Sequence, residues 1–486
     1  MTETPPFRPI SPFSSTVKDL VRRPAVTITT EDSITKAAKR MEEEGVGSLV
    51  VVDKAEQPVG MLTNTDMVRR VIAAQADCNA AVKTVMSDGV YAIAHERPLI
   101  DALLLMIQKG IGHLVVEHQG VIMGVISDRD WVNFQQRHPA ASFRNIEKAD
   151  STVELRELRE RANTLVRQFF GEEGTAESLT QLVTEINDRV AKRAINIVLQ
   201  QHGTPPVEFS WIALGSEGRE EQTLATDQDN GLVFRDPPSG KLEETRAWFL
   251  TFAQDAVKAL EECGFPLCKG NTMASNPELC LSQSEWRSLF ASLIARSEPQ
   301  DLLKASIYFD FRPLLGDASL VEAMWEELLS QVGRNRHFLR FMGGSAEFFG
   351  RVPVHTFGWK LRDFFGINQQ PIDIKKQAIG PLVRCARALA LGSGISTTHT
   401  MRRLEAVQKA GVLPDGLASS VRSAYDFLML LRIRHHFRQQ SASQAPDNNI
   451  SFHDLNPLEG RFLAEALKTV GDLEGFTLQH FGGIDM

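Results

Sequence analysis

The first 135 residues carry one unit twice. VKDLVRRPAVTI (17–28) aligns with VKTVMSDGVYAI (82–93). Met41, Gly45, Gly47 and Leu49 recur 65 residues later as Met106, Gly110, Gly112 and Leu114. Gly60, Thr63 and Asp66 recur 64 residues later as Gly124, Ser127 and Asp130. The one-residue slip falls between strands, where loops tolerate deletion. A single copy is too small to bury its sheet well, so the two copies are expected to pack as a pair.

Each copy reads as strand, helix, strand, strand, helix. SLVVVD (48–53) and HLVVEH (113–118) are short, apolar and β-branched, as buried strands should be, and GMLT and GVIS follow as second strands. SITKAAKRMEEEG and PLIDALLLMIQKG read as helices that close on glycine.

This unit resembles the cystathionine-β-synthase (CBS) domain, and the two copies (17–73 and 82–132) resemble a Bateman pair. The family's ligand signature stands here as Gly60-Met61-Leu62-Thr63-Asn64-Thr65-Asp66 and Gly124-Val125-Ile126-Ser127-Asp128-Arg129-Asp130. The resemblance implies AMP, ADP or ATP bound at the pair. Thr63 and Ser127 would meet phosphate, and Asp66 and Asp130 would accept from the ribose hydroxyls, since a carboxylate offers acceptors only. The competing reading makes each Thr/Ser-x-x-Asp a helix N-cap in a pair that only folds and dimerises.

Length and composition set the frame for the rest. At 486 residues, two to four domains are expected. A net charge of −8 leaves no footprint for general nucleic-acid binding. The five cysteines form no C-x-x-C pair and read as reduced thiols of a cytoplasmic protein. MTETPPFRPISPFSST (1–16) is expected to be disordered and has no apolar signal core, and no run of 18 apolar residues suggests a membrane span.

Residues 215–230, GSEGREEQTLATDQDN, carry the chemistry. Two carboxylates two residues apart on a strand share one face, so Asp227 and Asp229 can share hard divalent cations such as Mg²⁺ or Mn²⁺. A Gly215-Ser216 turn before a helix offers free N–H groups to phosphate. VEFSWIAL (207–214) reads as the strand entering the turn, GREEQTL as the start of a helix, and DNGLVF as the next strand.

That order resembles the core of the DNA polymerase β nucleotidyltransferase superfamily, and it is most similar to the protein-PII uridylyltransferase. It also resembles the glutamine-synthetase adenylyltransferase through G-x-G-R-x-E. The domain is placed at 150–330. The resemblance implies an NTP substrate, Gly215, Ser216 and Arg219 around the phosphates, and a protein or small-molecule hydroxyl as acceptor. Arg219 could equally pair with a neighbour such as Glu220, and Lys269 could be an exposed loop lysine. Gln228 stands where the superfamily usually has an apolar residue and should face away from the metals.

The superfamily also needs a third carboxylate. FPLCKGNTMA (265–274), read as the next strand, has none, so Asp310 in SIYFDFRPLLGD is chosen, with a structural role for Asp310 as the alternative. From 335 to 486 the chain reads as a helical bundle, beginning with AEFFGRVPVHTFGWKLRDFFG. It resembles the substrate-binding half of kanamycin-type nucleotidyltransferases. Lys375 and Lys376 are expected over the cleft. Arg432, His435, His436 and Gln439 form a polar stripe, read as a solvated face or a phosphate or base contact.

The expected whole is a multidomain α/β and α+β protein and a homodimer: a tandem βαββα CBS pair, a mixed-sheet nucleotidyltransferase core and a helical substrate-binding domain. Its expected activity is NMP transfer governed by adenosine nucleotides, with a catalytically degenerate nucleotide-binding regulator as the alternative. No HD phosphohydrolase signature or ACT pair is evident.

Overall fold

The computed structural model describes residues 16–21, 23–127, 130, 145–170, 175–224, 226–296, 298–333, 335–344, 371–442, 444–451 and 454–482. The expectations of a disordered start, of the second repeat beyond residue 130 and of a helix over 346–366 fall outside the described residues. The chain divides into two compact units, residues 1–144 with 168–174, and residues 145–167 with 175–486. Among the described residues no helix is long and apolar enough to cross a membrane.

In the first unit, β1 (Thr27–Thr29), β2 (Ser48–Val52), β3 (Pro58–Thr63) and β4 (Ser87–Asp88) form one sheet in that order. β5 (Ala92–Ala94), β6 (His113–His118) and β7 (Val121–Ser127) form the second. In each sheet the first pairing is parallel and the next antiparallel, as the duplicated pattern requires. The crossover helices Ile34–Glu43 and Leu99–Lys109 are followed by Gly45 and Gly110, both left-handed at φ 62° and 63°. The repeats exchange edges. β4, at the start of the second copy, completes the first sheet, while Val17 N–H donates to Arg97 O across the copies at 2.9 Å. Val50, Val52 and Met61 share one apolar cluster with Val115, so the copies bury their sheets against each other.

The second unit takes most of the helix Thr152–Phe170 and all of Ala176–His202. Its sheet runs β10 (Cys280–Ser282), β9 (Asn230–Phe234), β8 (Phe209–Ala213), β11 (Arg312–Gly316). Only the β10–β9 pairing is parallel. Phe209 and Trp211, two residues apart on β8, face the helix Leu242–Glu262, where they meet Phe249 and Phe252. Each such side chain, fully buried, stabilises by roughly 1.5–3 kcal/mol.

The core does not stop at residue 330. One apolar cluster runs from Ile212, Val233 and Trp286 through Phe309 and Phe311 to Leu389, Leu404, Leu428 and Leu463. The helices Gly380–Gly392, Thr400–Lys409, Asp415–Ser441 and Pro457–Phe481 therefore share a core with the sheet instead of standing apart.

Four local expectations are corrected. The helix after β8 is only Gly215–Gly218, and GREEQTL leaves it at once. β9 begins at Asn230, so Asp227 and Asp229 precede the strand. Residues 265–274 form turns, and the third strand is Cys280–Ser282. Asp310 lies between the helix Pro299–Tyr308 and β11, not on a strand.

Candidate functional site

The glycine-serine turn is shaped by what surrounds it. Gly215 is left-handed (φ 57°), and a Cβ there would lie 3.1 Å from Asp229 Oδ2. Three residues on, a Cβ at Gly218 would run into the Asp310 carbonyl oxygen and lie 2.9 Å from Ala213 O. The missing side chains let the turn sit against the Asp229 side chain on one side and the Asp310 backbone on the other.

Asp227 and Asp229 hold their places through the backbone between them. Leu214 N–H donates to Asp229 O at 2.8 Å, and Gln228 N–H donates to Pro266 O at 2.9 Å. Gln228 points away into the core, where its amide donates to Val257 O and Phe265 O at 3.1 and 3.0 Å. The two carboxylates therefore share the other face, and the Cys268 thiol joins them. One ligand atom from each of the three lies within 4.8 Å of the other two. Burial first, then the Asp227 charge, push the Asp229 carboxyl up to about 7, against a Cys268 hydrogen bond and the Lys375 and Arg219 charges. A cation between the two carboxylates would relieve that repulsion, so this donor set fits a divalent metal.

The helical region supplies cations to this face. Burial lowers the Lys375 pKa and Arg432 adds to it, while Asp227 and Asp229 oppose both. Arg432 is buried, its guanidinium lowered to about 10 mainly by burial, and its Nε donates to Asn448 Oδ1 at 2.8 Å. The polar stripe is therefore not a solvated face. His435 Nε2 lies 3.0 Å from Asp447 Oδ1, Gln439 accepts from Asp447 N–H at 2.8 Å, and His436 is buried beside Thr223.

Asp310 does not join the acidic pair. It is fully buried and takes hydrogen bonds from Arg219 Nη1 (2.6 Å), Arg387 Nε (2.9 Å), Arg403 Nη1 (2.6 Å) and Arg387 Nη2. Burial alone would raise its pKa, but the three guanidiniums hold it well below the usual carboxylate range. Both oxygens are occupied by cations, which is the structural role and leaves none for a metal. Its neighbour Arg312 goes elsewhere, gripping Asp188 with two contacts of 2.7 Å.

Arg219 is likewise engaged. Its Nε donates to Glu221 Oε2 at 2.7 Å, and Glu221 Oε1 accepts from Thr400 N–H at 2.6 Å. Burial works against its charge, but Glu221 and Asp310 raise its pKa overall. Its partners are Glu221 and Asp310, while Glu220 pairs with Arg402. Glu217, in the turn itself, is pushed up to about 8 by burial and then by Asp188.

In the first unit the signature residues close on each other. Thr63 Oγ1 donates to Asp66 Oδ2 at 2.6 Å and accepts from Asp66 N–H at 3.2 Å, a reciprocal cap. Ser127 Oγ donates to Asp130 Oδ2 at 2.6 Å. The full cap is present at the first copy, and at the second the Asp130 carboxylate takes both the Ser127 N–H (2.8 Å) and its hydroxyl.

Cys268, Arg387, Arg403 and Glu217 were not foreseen. Cys268 sits within the CKGN segment that was searched for a carboxylate, and a search for any metal-binding side chain would have found it.

Three family models match the chain. The CBS domain covers 17–73 and 82–136. The family described as "Putative nucleotidyltransferase DUF294" covers 160–300. The "Putative nucleotidyltransferase substrate binding domain" covers 336–481. An uncharacterized protein of Methanopyrus kandleri is 28% identical over 119 residues, 24% of this chain and 61% of the relative. An uncharacterized 17.7 kDa protein of Acidianus ambivalens is 34% identical over 24% of this chain and 66% of the relative. The chain thus spans under two thirds of either one. The CBS domain-containing protein YhcV of Bacillus subtilis is 30% identical over 26% of this chain and 90% of its own length. Among solved structures, an uncharacterized conserved protein from Pyrococcus horikoshii matches 26% of this chain and 96% of its own at 26% identity, with a TM-score of 0.25.

Proposed function

We propose, from the premise that this chain belongs to the CBS-domain-containing proteins and carries, behind its CBS pair, one match to the DUF294 nucleotidyltransferase family and one to its substrate-binding domain, that it transfers an NMP from an NTP to an acceptor hydroxyl. The observation that carries this reading is the convergence of Asp227, Asp229 and Cys268 beside the side-chain-free turn at Gly215. Asp227 and Asp229 would hold Mg²⁺ or Mn²⁺, which would supply charge neutralisation at the phosphates.

The chain's own residues do the rest. The Gly215-Ser216 backbone approaches the triphosphate without obstruction. Lys375 and Arg432, from the helical region, offset the negative charge of the leaving pyrophosphate. Arg219 acts from behind by fixing Glu221 and Asp310. The energetic weight lies in positioning and electrostatics, with little acid/base chemistry from the protein. A PII-like protein is one acceptor that the uridylyltransferase likeness suggests. AMP, ADP or ATP at Thr63, Asp66, Ser127 and Asp130 would bias the activity, and the pair would form a homodimer.

The test is transfer of α-labelled ATP or UTP to acceptors in lysate with Mg²⁺ or Mn²⁺. Asp227→Ala and Asp229→Ala should each lower labelling on the order of 10²-fold or more. A second reading, a nucleotide-binding regulator without turnover, is favoured by one observation: among the described residues, Asp310 gives its oxygens to arginines and no third carboxylate joins the pair. Nucleotide binding with no labelled product under any divalent metal would decide for the regulator.

A further inference from the structure

His95, Glu96 and His118 stand in the second repeat where the first carries Thr30, Glu31 and Asp53. β5 and β6 are parallel, with Ala94 opposite Glu117. The next residues outward, His95 and His118, therefore leave the C-terminal ends of neighbouring strands side by side. The backbone fixes His95 twice: its N–H donates to Glu117 O at 2.9 Å and its carbonyl accepts from Lys18 N–H at 3.1 Å. The two imidazoles meet edge to face, centroids 4.2 Å apart.

Both rings turn Nδ1 towards one carboxylate. His95 Nδ1 is 2.9 Å from Glu96 Oε2, and His118 Nδ1 is 3.0 Å from Glu96 Oε1. One ligand atom from each of the three residues lies within 4.8 Å of the other two. A divalent ion takes two neutral imidazole nitrogens and a carboxylate oxygen.

The fold does not call for these imidazoles. The first repeat builds the same strand ends with Thr30 and Asp53, and its Glu31 pairs with Lys83 at 2.9 Å. We propose that His95, Glu96 and His118 form a binding site for a zinc-class divalent cation at the C-terminal edge of the second repeat's sheet. The bound ion ties the ends of β5 and β6 together and leaves a fourth coordination position open to water or a ligand.

The test is Zn²⁺ titration of the metal-stripped full chain against a competing chelator, in an Asp227→Ala background that weakens binding at the acidic pair. One Zn²⁺ per chain is expected, with affinity at least tenfold lower in His95→Thr, which installs the first repeat's residue, and in His118→Gln. Affinities within twofold of each other overturn the proposal. Wild-type protein gives a readout that needs no variant. Zn²⁺ in excess of both candidate sites should suppress diethyl pyrocarbonate modification of His95 and His118, followed by peptide mass spectrometry. Unchanged modification also overturns the proposal.

Discussion

Replacing Asp310 by alanine separates its two candidate roles. As a metal ligand, its loss from metal-free protein would remove a repulsive charge and leave stability equal or higher. As an anion among three arginines, its loss strands cations. Arg219 keeps Glu221 at 2.7 Å, and Arg403 keeps the Thr397 carbonyl at 2.7 Å. Arg387, only 1% exposed, loses the Asp310 contacts at Nε and Nη2, and among the described residues its Nη1 has no hydrogen-bond partner to begin with. Breaking a buried pair from one side costs about 3–5 kcal/mol. Asp310→Ala should therefore destabilise the second unit by about that much in urea denaturation with EDTA. Adding Arg387→Met should recover roughly 1 kcal/mol or more, since neighbouring changes of this kind couple. Because the folded pKa is depressed, this stabilisation is complete above the unfolded value of about 4 and is lost only below it. A loss under about 1 kcal/mol, or a gain, refutes the reasoning and returns Asp310 to the metal site.

Other perturbations read other parts of the molecule. The Asp229 carboxyl, raised to about 7, binds a proton in the folded state that the unfolded chain has released above about pH 4. Metal-free stability should therefore fall as pH rises from about 4 to 7, by at most a few kcal/mol. Asp229→Asn should flatten that slope, checked by urea titrations at pH 5 and 8 in EDTA. Gly218→Ala drives a Cβ into the Asp310 carbonyl oxygen and should cost about 1–3 kcal/mol, read by the same denaturation. Asp66→Ala opens the reciprocal cap with Thr63 and should cost about 1 kcal/mol in the first unit. If the pair also binds AMP, that variant should weaken it in calorimetry beyond what the lost cap explains.

The duplicated front half was legible because period and pattern act locally. Ser48–Val52 and His113–His118 are apolar runs between turn signals, and they are strands. Gly215, Asp227 and Asp229 do lie near one another, although the two carboxylates precede the strand that their spacing suggested. The surroundings of Asp310 were not legible because Asp-x-Arg looked like one local unit. Its real partners lie 77 and 93 residues further on, at Arg387 and Arg403, and no local pattern records them. The polar stripe was misread for a similar reason. A helix face with Arg432 and His436 looks solvated until another element of the same core covers it.

The grip on residue 310 also bears on how the half that carries the sheet and the helical half move. Arg219 reaches it from behind the glycine-serine turn, and Arg387 and Arg403 reach it from two helices of the other half. Parting these halves would drag a naked charge out of the interior. The two halves are therefore pinned together at this point, not hinged there. Chimaeras that graft a relative's helical half must bring both of its arginines or lose the clasp.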